Sequence, residues 1–245
     1  MKILFAPSEG KQSGGVFAPL CKASLIFPEL YSKRITVTNC YEQVVRDGNN
    51  EVLESLFGIK DSKEFDRYKI SFNHASTMKA IERYDGVAYG YLNYASLSNE
   101  AKEYINQNTI IFSNLFGPIS AGDCIPDYKL KQGSSIEGLA PEKYYKEHFS
   151  NALDEMLENS DVLDLRAGFY DKFYIPKKGV TTLKFLKEGK VVSHWAKAYR
   201  GVVLRAVAMQ QVKSLEEFLT LSIDGLVLHE IIESKKKKEI VFTII

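Results

Sequence analysis

The chain has 245 residues, of which 45% are hydrophobic and 26% charged. That composition suits a globular protein with a sizeable core and excludes a disordered or low-complexity one. The formal net charge of +1 excludes a global electrostatic pull on nucleic acid. No stretch reaches the roughly 18–20 consecutive apolar residues of a membrane span, so no membrane partner is expected. The length predicts one domain over residues 1–245, or two intimately packed lobes.

In chain order, "KILFAP" (Lys2 to Pro7) predicts a first strand rather than a signal peptide, because its apolar run is too short. A polar, glycine-bearing turn follows. "TNCYEQVVRDGNNEVLESLFGI" predicts two helices broken at Asp47 to Asn50. "STMKAIERYDG" predicts a short helix ending at Gly86, with Ser76 as its N-cap. "SLSNEAKEYINQ" predicts another, starting near Ser98. "TIIFSNLFG" reads as a buried strand and "DYKLKQG" as a second. "APEKYYKEHFSNALDEMLENS" is the clearest helix, with Pro141 early and Tyr145, Phe149, Leu153, Met156 and Leu157 on one stripe.

"DVLDLRA" reads as a buried strand, and "VTTLKFLKEGKVVSHW" as a hairpin turning near Glu188 and Gly189. Lys197 to Gln211 is predicted helical, and "SLEE" at Ser214 to Glu217 is a capping box opening a further helix. "DGLVLHE" and "IVFTII" are closing strands joined through "SKKKK", a solvated tip or edge protection. Hairpins mixed with helices predict an α+β or mixed α/β fold: a mixed sheet with surrounding helices.

Charge is unevenly distributed. Asp161 to Lys213 holds eleven basic and four acidic residues, a net +7, leaving −6 for the remainder. Such a segment is either a local anion-binding surface or a solvated face balanced by acids elsewhere. Cys21, Cys40 and Cys124 form no Cys-x-x-Cys motif, and the four histidines show no metal-ligand spacing. No metal or cofactor is expected, and the odd cysteine count fits a reducing cytoplasm.

Three segments could carry chemistry. "APSEGKQSGG" presents Ser8, Gly10 and Lys11 in a turn after the first strand, but lacks Walker A spacing. "RAGFYDKFYIPKK" interleaves aromatic and basic residues. Tyr170 and Lys172 there are candidates for a site, while Phe169 and Phe173 suit a core-packing strand. "WAKAYRG" opens a helix expected to be buried nearly all round. Lys197 and Arg200 in its N-terminal turn would oppose the macrodipole by roughly 0.3–1 kcal/mol each, and Gly201 costs about 1 kcal/mol relative to alanine. Both features become sensible if an anion approaches the helix start. The competing account is an internal ion pair with Asp171 or Glu9.

The segments "APSEGK", "FSNLFG", "DYKL", "FYDK" and "AKAYRG", in this order, with "SIDGLVLHE" near the end, resemble the YaaA family of bacterial peroxide-stress proteins across the whole chain. The matching positions are Lys11, Ser113, Gly117, Tyr128, Tyr170, Lys172, Lys197, Arg200 and Gly201, with Lys129 in place of the family's arginine. Phe169 stands where the family has a glutamate, and Ala198 where it has a lysine. The resemblance implies a cytoplasmic oxidative-stress protein that limits damage linked to free iron. It further implies a mixed α/β fold with a basic cleft, and double-stranded DNA binding with a helix-hairpin-helix-like element. The candidate for that element is the helix from Lys197, a turn at Val212 and Lys213, and the helix from Ser214.

Two functions follow. The first is duplex DNA binding through backbone charge. The second is an enzyme or binding pocket for a small anionic, phosphate-bearing ligand gathered by Lys11, Ser113, Tyr128, Lys172, Lys197 and Arg200. In that pocket Ser113 would orient the ligand or act as a nucleophile, and a tyrosine or lysine would transfer a proton. A monomer is expected in either case.

Overall fold

A computed structural model of the chain describes residues 1–234 and 237–245, and all of their side chains except those of 193 and 194. Lys235 and Lys236 of the lysine-rich segment, and the His194 side chain, therefore lie outside the described residues. The strands are β1 (Lys2–Phe5), β2 (Gly10–Lys11), β3 (Thr77–Lys79), β4 (Tyr84–Asp85), β5 (Thr109–Ser113), β6 (Gly117–Ser120), β7 (Cys124–Pro126), β8 (Val162–Asp164), β9 (Val180–Lys187), β10 (Lys190–Val191), β11 (Leu226–Glu233) and β12 (Lys237–Ile244). The α-helices are α1 (Tyr31–Asp47), α2 (Asn50–Phe57), α3 (Ala80–Arg83), α4 (Val87–Leu92), α5 (Asn99–Asn108), α6 (Pro141–Leu157), α7 (Ser193–Met209) and α8 (Leu215–Leu219).

The fold is mixed α/β. An eight-stranded sheet runs β11-β12-β9-β8-β1-β5-β6, with β10 added against β9. The pairs β12/β9, β9/β8, β8/β1 and β1/β5 are parallel. The pairs β5/β6, β9/β10 and β11/β12 are antiparallel hairpins. From β1 the chain passes through α1 to α5 to reach β5 on one side, then returns through α6 to β8 on the other. Strand order thus reverses at β1, and open α/β sheets place their ligand crevice beyond the carboxyl ends at such a point.

Local chemistry accounts for the elements. Ser98 caps α5 by accepting from the Ala101 amide, and Asn49 caps α2 through Val52. The β9–β10 turn uses Glu188 (φ 51°) and Gly189 (φ 74°), the two positive φ values that a tight type I′ hairpin requires. On α6, Tyr145, Phe149, Leu153 and Leu157 are buried, each contributing about 1.5–3 kcal/mol, while Met156 is only partly covered. Ser214 accepts from the Glu217 amide, and the Glu217 carboxylate reaches the Lys213 amide instead of closing the box on Ser214.

Four expectations are corrected. "STMKAIERYDG" is not one helix capped by Ser76: β3 and β4 flank the four-residue α3, because Thr77 pairs with Pro126 and Lys11 with Tyr84. "TIIFSNLFG" is not one strand but turns back at Asn114 to Phe116 into β6. "DYKLKQG" forms no strand. Its backbone is held by side chains and loops: the Tyr41 hydroxyl donates to Lys129 O and accepts from Lys129 N (2.9 and 3.1 Å), and Lys131 N donates to Leu56 O. The fourth concerns α7. It starts at Ser193, so Lys197 and Arg200 lie beyond its first turn, where the dipole penalty has largely faded. Nor is it buried all round, since Trp195 and Met209 are 40% and 55% exposed.

Gly201 seats α7 on α4. A Cβ built there would overlap the Ala88 carbonyl oxygen and crowd Leu92 N at 3.1 Å. Arg205 adds a polar clasp, donating to Leu92 O and Asn93 O at 2.9 and 3.1 Å. Gly201→Ala is expected to lower stability by at least about 2 kcal/mol through overpacking. Gly90→Ala in α4, where a Cβ meets nothing within 4 Å, should stabilise by up to about 1 kcal/mol. Urea midpoints of the two variants check the contrast, and a Gly201→Ala midpoint equal to wild type contradicts it.

Candidate functional site

A crevice of about 520 Å³ opens beyond the carboxyl ends of β1 and β8. One wall is the turn after β1, with Pro7, Ser8 and Glu9. Asp85, Ala88 and Tyr89 come from the β4–α4 segment. The segment after β8 contributes Leu165, Ala167 and Tyr170, and α7 contributes Lys197 and Arg200. The site is therefore the crevice expected where strand order reverses.

The turn after β1 is fixed by cations that hold carbonyl oxygens. Buried Arg83 donates to Gln12 O, Gly14 O and Ile125 O at 2.6, 2.7 and 3.3 Å. Arg67 donates to Lys11 O at 2.8 Å while its Nε binds Asp127 at 2.6 Å. Ser8 Oγ donates to Asp85 O at 2.5 Å and ties the turn to β4.

Lys11 lies behind this wall. Its Nζ sits 4.1 Å from the Tyr128 ring centroid and 5.4 Å from that of Tyr84, a cation–π arrangement. It donates weakly to Ser8 O and Glu9 O at 3.3 and 3.4 Å. Burial, reinforced by the neighbouring Lys129 charge, lowers its pKa to about 7. At neutral pH the amine can therefore hold or release a proton. Beneath it, three buried hydroxyls form a chain: Ser113 Oγ to Tyr128 Oη and Tyr128 Oη to Tyr84 Oη, each 2.9 Å. Burial pushes Tyr128 up to about 12 despite these hydrogen bonds. Ser113 also accepts from Phe116 N and Leu115 N at 2.9 and 3.3 Å, so its oxygen secures the β5–β6 turn.

Lys197 and Arg200 on α7 differ from the buried arginines of the fold, Arg34, Arg83 and Arg166, each of which holds backbone carbonyl oxygens. Lys197 is exposed and Arg200 half-buried, and neither makes a hydrogen bond or close ion pair among the described residues. Burial lowers Arg200 below the ordinary arginine range, with the Asp164 charge opposing. Both Asp164 oxygens are already taken by Arg166 at 2.7 and 2.9 Å. The ion pairs considered from sequence do not form with Lys197 or Arg200: Asp171 approaches Arg166 at 3.7 Å, and Glu9 approaches Lys129 at 3.9 Å.

Of the residues singled out from sequence, Tyr170, Lys197 and Arg200 line the crevice. Lys11, Tyr128 and Ser113 stand behind it, and Lys129 reaches it only through Glu9, donating to Glu9 O at 3.3 Å. Lys172 is outside, exposed and 4.9 Å from the Phe169 ring. Gly201 faces α4. Phe169 to Lys172 lie on a 3-10 turn, Gly168–Lys172, rather than a strand. Sequence reasoning missed Asp85, Ala88, Tyr89 and Tyr84. The signal is the aromatic cluster "YDGVAYGYLNY", of which only Tyr84 to Gly86 is assigned from sequence, as a helix end.

Tyr128→Phe leaves the Ser113 and Tyr84 hydroxyls short of a partner and should cost about 1–3 kcal/mol, measured by chemical denaturation. For Lys11 the sign follows from linkage. The folded pKa is about 7, below the unfolded value, so the unfolded chain binds more protons between about pH 7 and 10.4. Its contribution to stability therefore rises with pH across that window. Lys11→Met removes the rise, so its stability relative to wild type should be greatest at or below pH 7 and should shrink as pH increases. A difference independent of pH contradicts the assignment.

Comparison with known proteins agrees with the resemblance. The family model described as "Peroxide stress protein YaaA" matches residues 1–231. An uncharacterized protein of Campylobacter jejuni is 50% identical over 245 residues, covering all of both chains. A UPF0246 protein of Streptomyces coelicolor is 32% identical, covering 84% of this chain and 82% of its own. Another UPF0246 protein, from Corynebacterium glutamicum, is 34% identical over 86% of both. By these matches the chain belongs to the YaaA family of peroxide stress proteins.

Proposed function

We propose that this peroxide-stress protein binds double-stranded DNA, with Lys197 and Arg200 engaging backbone phosphates at the mouth of the crevice. In doing so it limits the damage linked to free iron in the cytoplasm. The observation that carries the reading is that these two cations face the crevice without close partners among the described residues. Arginine and lysine left free at a concave surface are suited to phosphate, and each contact releases counterions from the duplex. The surrounding segment, Asp161 to Lys213, adds a net +7. The turn between α7 and the five-residue α8 is the candidate helix-hairpin-helix element. Among the described residues no helix is long and apolar enough to cross a membrane.

A second reading is a pocket for a small phosphate-bearing ligand. It is favoured by the concave shape and apolar floor of the crevice, where Phe5, Leu165 and Tyr89 lie behind the charged rim. In this reading Lys11 supplies a proton acceptor behind the wall, and Ser113 and Tyr128 hold the wall in place.

Duplex binding measured across salt concentrations tests the first reading. Lys197→Ala/Arg200→Ala should weaken binding to all sequences and reduce the salt slope by about 2. A slope unchanged by the double substitution contradicts binding through this site.

A further inference from the structure

We propose that the crevice behind Lys197 and Arg200 holds a single nucleoside monophosphate unit, with its phosphate on the two cations and its planar base on the aromatic floor. This deepens the phosphate-binding reading above and rests on it.

Size comes first. A crevice of about 520 Å³ falls within the roughly 300–1,000 Å³ of pockets that enclose small ligands. It cannot admit a duplex, so whatever enters beyond the mouth is one residue of a nucleic acid or a free small molecule. The floor comes second. Tyr89, Tyr170 and Phe5 are each less than a tenth exposed, and their rings pack edge-on or tilted against other aromatics. The Tyr89 hydroxyl is spent on Ala6 O at 2.9 Å. What little of these rings meets the cavity is apolar, and with Ala88, Leu165 and Ala167 it lines a slot that suits the flat apolar faces of a base.

Charge is the third argument, and it limits the phosphate count. Lys197 and Arg200 together match one phosphate monoester, which carries roughly −1.5 to −2 at neutral pH. The rim also carries two acidic residues, Glu9 and Asp85. Asp85 receives a side-chain donor from Gln12 at 3.0 Å, and Glu9 accepts from Gln132 N at 3.1 Å. These carboxylates suit the hydroxyl and amino donors of a nucleoside and repel further phosphates. The crevice therefore selects a monophosphate over a triphosphate and over inorganic phosphate alone.

Isothermal titration of AMP, GMP, CMP and UMP, with adenosine, inorganic phosphate and ATP as comparators, tests this. The monophosphates should bind at least about tenfold more tightly than adenosine or inorganic phosphate, and ATP should bind no better than AMP. Arg200→Gln and Lys197→Gln should each weaken AMP by about tenfold. Ala167→Trp, which fills the cavity from the segment after β8, should abolish AMP binding, with its thermal midpoint confirming that it folds. Lys197→Gln lies on an exposed helix face and keeps the test open should the tryptophan variant fail to fold.

The nucleotide can come from the free pool or from a strand end, and competition against AMP separates the two. Displacement by a 5′-phosphorylated single-stranded oligonucleotide assigns a strand end. Failure to displace assigns the free nucleotide. Either result upholds the pocket. Adenosine binding as tightly as AMP overturns the proposal, as does folded Ala167→Trp binding AMP normally. Duplex binding with an intact salt slope but no monophosphate binding also overturns it, and leaves the DNA reading standing.

Discussion

Where Gly201 lies against the Ala88 carbonyl, two helices approach more closely than any side chain would allow. Helix α4 carries Ala88 and Tyr89 into one wall of the crevice, and α7 carries Lys197 and Arg200 into another. Their separation, and so the width of the site, depends on a missing methyl group. Arg205 reinforces the arrangement by holding the carboxyl-terminal carbonyls of α4, where a cation also complements the helix dipole. The glycine in "AYRG" is thus explained by helix packing. Its influence on the cations is positional: it brings Arg200, the preceding residue, to the crevice.

Buried cations recur with a consistent division of labour. Arg83 gathers three carbonyls of the turn that bears Lys11 and of β7. Arg34 lies over Phe149 at 4.6 Å and binds Ile26 O and Pro118 O at 2.9 and 2.8 Å, together with Phe116 O. Arg166 grips Asp164 and the carbonyls of Tyr170 and Tyr174 at 3.2 and 3.0 Å. Each satisfies backbone acceptors that would otherwise be stranded in the core. Against that pattern Lys197 and Arg200 stand out, because they complete no part of the fold among the described residues. Lys11 is intermediate: its ammonium rests on a tyrosine ring and two weak acceptors, so burial is only partly compensated and its pKa falls.

Much of this was legible in the sequence. Periodicity and capping residues located α2, α5, α6 and the part of α1 from Thr38 on, though α1 begins at Tyr31, and Glu188-Gly189 located the β9–β10 turn, because each of those signals is local. The crevice cations were legible through the mismatch between Lys197, Arg200 and an apolar helix, although the helix begins earlier than its pattern indicates. What could not be read was long-range. Short β3 and β4 exist because distant segments pair with them, and "DYKLKQG" is irregular because Tyr41, 88 residues away, takes its backbone groups. Ser113 has the composition of a nucleophile but serves a turn and a hydroxyl chain, a role visible only once Phe116 N and Tyr128 are placed around it.

The account turns on whether the free cations on α7 meet phosphate. Nitrogen-15 NMR of the Arg200 guanidinium, followed during titration with a short duplex at constant ionic strength, measures this directly. The account predicts that the Arg200 Nε–H resonance shifts and saturates with the duplex, whereas matched additions of sodium chloride leave it in place. An Arg200 signal that stays fixed while surface lysines such as Lys184 and Lys190 respond would contradict it.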